Sequence, residues 1–244
     1  MNEEQNPYDL FAPFYDAVME EPIKTVDFVK DLIKKYNPEA KNILELACGT
    51  GNILAGLSNK YAKVGLDNSS GMLAIARKKV PKAEFVQGDM RVFELGRKLD
   101  VVLCVFDSIN HLINFSDWVK VFQQAEKHLS ENGIFIFDLN TISKLKRLSQ
   151  SPSFEQEFDH KKMEIKVTDG SSDVFNWHVR IVQNAKDKAA TVHEMDIHEV
   201  SFPINQIEKS VANYLVVREI TDTSGKEATS ESDRVYFVCQ KCII

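Results

Sequence analysis

From Asn42 onward the chain alternates short, nearly continuous apolar runs with longer segments whose apolar residues recur every three to four positions. The runs NILELA, KVGLD, AEFVQGDM, LDVVLCVFD and IFIFDLN predict strands. LDVVLCVFD is apolar at nearly every position, as a central parallel strand covered on both faces must be. Between these runs, NILAGLSNKY, GMLAIARKKV and SDWVKVFQQAEKHL read as helices. Ser69-Ser70 caps the second of them and Pro81 stops it; Ser116 caps the third and Gly133 ends it. Upstream, Pro22 opens a helix in which Ile23, Val26, Val29, Leu32 and Ile33 repeat at helical spacing before Pro38. Strands alternating with helices of these lengths predict an α/β fold with a doubly wound, mostly parallel sheet.

After Asn140 the pattern changes. A basic helical piece, ISKLKRLSQSPS, leads into strands with strict period-two alternation: Met163, Ile165 and Val167 against Glu164, Lys166 and Thr168, then Phe175, Trp177, Val179 and Ile181 against Asn176, His178 and Arg180. Asp169-Gly170 is a turn signal between them, and TVHEMDIHEVSF supplies a third strand. This is an antiparallel β-meander with one apolar face, inserted into the α/β domain. The helix PINQIEKSVANY then returns the chain to VVREITD and RVYFVCQKC, whose short polar connection through Ser224-Gly225 predicts an antiparallel C-terminal hairpin. The expected division is an N-terminal helical segment, 1–40; an α/β domain, 41–140 and 203–244; and an inserted antiparallel subdomain, 141–202.

Composition narrows the classes. With 244 residues, 43% of them hydrophobic, the chain can bury a core without disulfides or metals. A net charge of −6 argues against a nucleic-acid surface, since phosphate affinity rests on Lys and Arg. No apolar run approaches the ~20 residues of a membrane span, and the acidic start MNEEQNPYDLF lacks a signal-peptide pattern. Four scattered cysteines fit free thiols in the cytoplasm. Cys239 and Cys242 form C-x-x-C without a second pair, inside a strand where that spacing sends the side chains to opposite faces, so no metal is assigned there. A zinc site from His178, His193 and His198 is disfavoured for want of a fixed strand register.

The chemistry gathers at strand ends. In ELACGTGN, Gly49 and Gly51 stand one residue apart just beyond the first strand, where a doubly wound sheet binds ligands and where a bare backbone lets a ligand lie close. The dinucleotide fingerprint wants a third glycine, and Leu54 occupies that position. Glu45 precedes the loop, Asp67 ends the second strand and Asp89 ends the third. Three carboxylates round a glycine loop without a P-loop lysine suit a nucleoside bearing a cation and would repel a nucleotide's phosphates.

ELACGTGN, GLDNSSGML, FVQGDM and LDVVLCVFDSINHL resemble successive motifs of the class I S-adenosylmethionine-dependent methyltransferases. The opening YDLFAPFYDAVM is similar to a segment of small-molecule members acting on amino sugars, with glycine N-methyltransferase a looser relative. The resemblance implies a seven-stranded Rossmann-like sheet with S-adenosylmethionine as cofactor and S-adenosylhomocysteine as product. It implies that Glu45 and the backbone of Ala47, Gly49 and Gly51 hold the methionine end, that Asp67 takes the ribose hydroxyls, and that Asn68 and Met72 flank the adenosine. Asp89 would accept from the adenine amino group, Met90 would pack on the ring, and Phe106 and Asp107 would lie under the sulfonium. Tyr15 and Tyr8 would close over the site from the N-terminal segment. The inserted sheet would form part of the acceptor pocket or a homodimer interface.

The acceptor is expected to be a small molecule, an amine nitrogen ahead of a hydroxyl. Nucleic acid is disfavoured because FDSI stands where base-methylating enzymes carry N-P-P-Y or D-P-P-Y. Tyr15 and His111 are the candidates to orient or deprotonate an amine, and His178, Arg180, Glu194, Asp196 and His198 on the inserted strands are candidates to bind it. A nicotinamide-dependent oxidoreductase and a non-catalytic binding protein on the same fold are the alternatives.

Overall fold

The computed structural model describes residues 6–19, 22–185 and 188–241. Cys242, and with it the C-x-x-C pairing, lies outside them. Two helices, α1 (Pro7–Val18) and α2 (Ile23–Tyr36), precede the α/β alternation of β1 (Asn42–Leu46), α3 (Asn52–Gly56), β2 (Ala62–Asp67), α4 (Ser70–Lys79), β3 (Glu84–Gln87), β4 (Leu99–Cys104), α5 (Phe115–His128) and β5 (Leu129–Asn140). Then come α6 (Ile142–Ser149), the strands β6 (Phe154–Phe158), β7 (Lys161–Asp169), β8 (Phe175–Ala185) and β9 (Lys188–Glu199), and finally α7 (Ile204–Val211), β10 (Val216–Asp222) and β11 (Arg234–Gln240).

The main sheet has seven strands in the order β10-β11-β5-β4-β1-β2-β3. β1 to β5 run parallel, while β11 is antiparallel to both β5 and β10. Strand order reverses at β1, which lies between β2 and β4, and the loop after β1 opens at that reversal. Each face of the sheet carries its own core. Trp118, Val121, Phe122 and Ala125 of α5 with Ile207 and Val211 of α7 cover one face. Val29, Leu32 and Ile33 of α2 with Leu73 of α4 cover the other. The Trp118 indole, fully buried, satisfies its N–H on the Leu112 carbonyl at 2.8 Å.

A second sheet, β6-β7-β8-β9, is wholly antiparallel. Met163, Val179, Ile181, Met195 and Ile197 share its apolar face and pack on Phe11, Phe14 and Val18 of α1. α1 is therefore held between the two sheets' territories. The opposite face presents Lys162, Glu164, Arg180 and Glu194.

Local differences from the sequence reading have identifiable causes. The inserted sheet has four strands, not three: FEQEF is a charged edge strand whose Phe154 remains 57% exposed, so its alternation carries little apolar signal. Between β7 and β8 the chain does not turn at Asp169-Gly170 alone but makes a 3₁₀ turn over Ser171–Asp173. α5 begins after Asn114, with Ser116 already inside the helix. It ends at His128, ahead of Gly133, which lies within β5, where a Cβ would meet the Ser130 carbonyl oxygen at 2.9 Å. α3 is only one turn and ends at Gly56, where a Cβ would stand 2.7 Å from Val26 of α2. β3 stops at Gln87, short of the expected GDM.

Candidate active site

A cavity of about 1230 Å³ lies over the carboxyl ends of β1, β2 and β4, roofed by α1 and closed on one side by β9. It is large enough for a nucleoside-sized ligand together with a second small molecule. Of the residues expected at the site, Tyr8, Tyr15, Glu45, Ala47, Gly49, Asp67, Asn68, Met72, Asp89, Met90, Phe106 and His111 line it. Gly51 and Asp107 do not.

The loop after β1 turns through three left-handed residues, Ala47 (φ 51°), Gly49 (φ 53°) and Gly51 (φ 79°). The two glycines do different work. A Cβ on Gly49 would meet no atom of the described residues within 4 Å, and Gly49 lines the cavity, so it would project into that space. A Cβ on Gly51 would touch Ala76 Cβ at 3.3 Å and Val80 Cγ2 at 3.5 Å, so this glycine lets the loop pack on α4 rather than on a ligand. Asp67 fixes the loop from β2: its Oδ2 accepts from the Gly49 N–H at 2.7 Å and its Oδ1 from the Ser69 N–H at 2.8 Å.

Glu45, on β1, is 3% exposed, and its Oε2 has no hydrogen-bond partner among the described residues. Burial, then the nearby Asp67 carboxylate, pushes its pKa well above the usual carboxylate range. A buried acceptor left unpaired carries a desolvation penalty, which a ligand ammonium would relieve. Together with the space in front of Gly49, this fits the methionine end of S-adenosylmethionine.

Asp89, expected beside the adenine, lines the cavity with its carboxylate already engaged by a neighbour. Both its oxygens accept from the Arg91 side chain, Nε–Oδ2 being 2.9 Å, and the Arg91 N–H adds a bond of 2.8 Å to Oδ1. Arg91 continues to Asp117 at 3.0 Å. The carboxylate thus shapes the turn beside the cavity. Asp107 turns away from the cavity and pairs with Arg234 of β11. Phe106 (φ 68°) and Asp107 (φ 55°) are successive left-handed residues without glycine, a strained turn. It is held by the fully buried Asp138 of β5, whose oxygens accept from the Phe106 N–H at 3.0 Å and the Asp107 N–H at 2.6 Å. Arg234 also binds Asp138, at 3.1 Å, and lies over the Phe106 ring.

α1 is fastened by two carboxylates that no local sequence signal singles out. Asp9 accepts from Ser69 Oγ at 2.7 Å and the Gly71 N–H at 2.8 Å, at the start of α4, where a helix favours negative charge. Asp16 accepts from Thr50 Oγ1 at 2.7 Å and Lys79 Nζ at 2.6 Å. Helical spacing puts both on one face of α1, a pattern visible in the sequence but ambiguous without knowing what that face meets. Asn6 adds a bond to Asn68 at 2.8 Å.

The polar wall combines Tyr8, His111 and part of β9. His111 Nδ1 lies 3.2 Å from the His198 carbonyl oxygen, which can only accept, so Nδ1 carries the proton. Its Nε2 then accepts from the Tyr8 hydroxyl at 3.0 Å. Burial holds the His111 pKa below its ordinary value, favouring the neutral ring. Burial likewise raises the Tyr8 and Tyr15 hydroxyls, with Asp107 and other carboxylates adding to it, so both stay protonated. His178, Glu194, Asp196 and His198 line the cavity, whereas Arg180 is paired with Glu194 and is not at the wall. The three-histidine set does not come together: register places His193 opposite Ile181, on the other face, against Phe14. Asp107, His111 and Glu199 offer atoms within 4.8 Å of one another, but they are engaged by Arg234, Tyr8 and Asn140 respectively, and we assign them no metal.

Comparison with known proteins points to methyltransferases. Residues 43–133 match the model of a methyltransferase domain. The Bacillus subtilis (strain 168) protein YqeM, whose name carries a provisional methyltransferase assignment, is 29% identical over 96% of this chain and 97% of its own length. The dTDP-3-amino-3,6-dideoxy-alpha-D-glucopyranose N,N-dimethyltransferase of Streptomyces fradiae is 37% identical over 44% of this chain and 42% of that one. The crystal structure of a S-adenosylmethionine-dependent methyltransferase from Clostridium acetobutylicum ATCC 824 superposes with a TM-score of 0.85 at 25% identity, covering 98% of this chain and 100% of that one.

Proposed function

We propose, for a chain that has the fold of the S-adenosylmethionine-dependent methyltransferases and takes S-adenosylmethionine as its cofactor, that it methylates an amine nitrogen of a small molecule by in-line displacement. The bound cofactor supplies a methyl group already activated by its sulfonium. What remains for the protein is alignment of an acceptor lone pair and care of one proton. In this reading Glu45 and the Gly49 backbone hold the cofactor's methionine end, the 1–40 segment and the 141–202 insertion close over the site, and the acceptor lies against Tyr8, Tyr15 and His111. The observation that carries the choice of an amine is the neutral His111 with its lone pair aimed at Tyr8. A protonated amine cannot attack, and this pair offers its proton a base. The amino-sugar acceptor named for the Streptomyces fradiae relative supports the same class.

The test compares glucosamine with glucose as acceptors, reading S-adenosylhomocysteine formed. Turnover with the amine alone is expected; turnover with the sugar alone would defeat the reading. His111→Gln is expected to slow amine turnover about 10²–10⁴-fold, the usual scale of general-base catalysis, with S-adenosylhomocysteine affinity unchanged.

A linkage prediction concerns Glu45. Its raised pKa in the free protein should fall when a ligand ammonium arrives, so binding releases a proton within that window. S-adenosylhomocysteine affinity is therefore expected to tighten as pH rises toward the free-state pKa and to level off above it. Calorimetry in buffers of different ionisation enthalpy reads the released proton, and Glu45→Gln should abolish the release.

The same reading places the protein in the cytoplasm, in keeping with the free, buried Cys48, Cys104 and Cys239. Among the described residues no helix is long and apolar enough to cross a membrane. A homodimer through the inserted sheet would meet on its charged face or along edge strand β6, and light scattering tests it.

A further inference from the structure

Glu199 ends β9, is 3% exposed, and takes no part in the alignment or binding described above. Its Oε2 accepts from Asn140 Nδ2 at 3.0 Å, and it presents an oxygen within 4.8 Å of a ring nitrogen of His111. Burying a carboxyl so deeply costs free energy that one neutral amide bond does not return. An exposed position would have cost nothing. The neighbour that gives the burial a use is the histidine.

We propose that Glu199 and His111 hold one proton between them and that Glu199 is the positioning residue that lets His111 accept the acceptor's proton. The proposal rests on the amine reading above. The acceptor ammonium gives its proton to the Tyr8 oxygen as the Tyr8 proton passes to His111 Nε2. His111 becomes an imidazolium with Nδ1–H still on the His198 carbonyl, and Glu199 loses its proton to water. Proton count and charge balance: one proton enters the pair, one leaves it, and the imidazolium stands beside a carboxylate instead of a neutral acid. Without that exchange the buried imidazolium would be desolvated beside a neutral acid, and the lowered His111 pKa would keep the relay shut.

The surroundings are consistent with a single shared proton. Facing Glu199 are Asp107 from the turn after β4, Lys144 from α6 and Arg234 from β11, with Tyr8 of α1 beyond His111. Burial first, then Asp107, pushes Glu199 up to about 8, while Asn140, Lys144 and Arg234 pull it down. Lys144 is itself engaged by Asn140 Oδ1 at 2.7 Å, and Arg234 by Asp107 and Asp138, so neither forms a direct ion pair with Glu199.

The experiment needs neither acceptor nor cofactor. In the full chain, the His111 ring nitrogens and the Glu199 carboxyl carbon are followed by NMR from pH 4 to 10. Both resonances are expected to report the same two midpoints, as a coupled pair does. In Glu199→Gln, which keeps an oxygen for Asn140 and imitates the neutral acid, the upper His111 step should vanish while the lower one keeps its midpoint. Glu199→Asp should restore part of the upper step. Unrelated single midpoints in the native protein would overturn the proposal, as would superimposable His111 curves in native and Glu199→Gln protein. Because S-adenosylhomocysteine binding and glucosamine turnover are read separately, a failed relay and a failed amine assignment give different results.

Discussion

Gly49→Asn is expected to weaken S-adenosylhomocysteine binding by at least about 100-fold, equivalent to ~2.7 kcal/mol, while leaving the fold almost as stable as before. The left-handed backbone at Gly49 is one that asparagine adopts more readily than other residues, and a Cβ there finds no protein atom within 4 Å. The new side chain therefore costs the protein little and fills space that the cofactor needs. Gly51→Ala should behave in the opposite way. There the added methyl enters a contact of 3.3 Å with Ala76 in a left-handed conformation, so about 1–2 kcal/mol of stability should be lost, with affinity nearly intact in the folded fraction. Calorimetric titration and urea unfolding of the two variants separate the roles. Equal loss of affinity in both would mean that the loop responds as a unit.

Asp138→Ala carries the largest expected effect on stability, about 3–5 kcal/mol, the scale for removing one partner of a buried ion pair. Asp138 is fully buried and holds two backbone N–H groups of a strained turn as well as Arg234. Its loss strands those donors and leaves the Arg234 charge with Asp107 as its remaining carboxylate. A total stability of roughly 5–15 kcal/mol makes this a large fraction. Since the same turn places Phe106 at the cavity wall, turnover should fall along with stability. Asp233→Ala is the control: it removes the exposed Arg147–Asp233 pair, and such pairs contribute about 0–1 kcal/mol. Denaturant midpoints read both. A similar small loss for the two variants would show that the turn does not depend on its carboxylate.

Much of the site was legible before any coordinates. Glu45, Gly49 and Asp67 lie at or just beyond strand ends, and strand ends can be read wherever an apolar run meets a glycine or a polar residue. The resemblance to methyltransferase motifs pointed to Ala47, Asn68, Met72 and Phe106 as well, and all four line the cavity. It could not tell Gly49 from Gly51, since both satisfy the same left-handed turn and only α4 decides which one has room. Nor could it show that Arg91 occupies the Asp89 carboxylate, or that Asp107 turns to a partner on β11, 127 positions later in the chain.

Periodicity and turn chemistry within a few residues dictate the alternation of strands and helices, the parallel sheet with its antiparallel end and the position of the ligand loop, so these are readable from the chain directly. The tertiary structure alone decided which charges remain free. Asp138 is set against Phe106 by β4–β5 pairing, and Arg234 reaches Asp107 through β5–β11 pairing. Glu199 is brought to His111 because the inserted sheet returns to the core at Asn110 and Val200. A carboxylate's chemistry depends on its burial and its partners, and those are set by segments far apart in the chain.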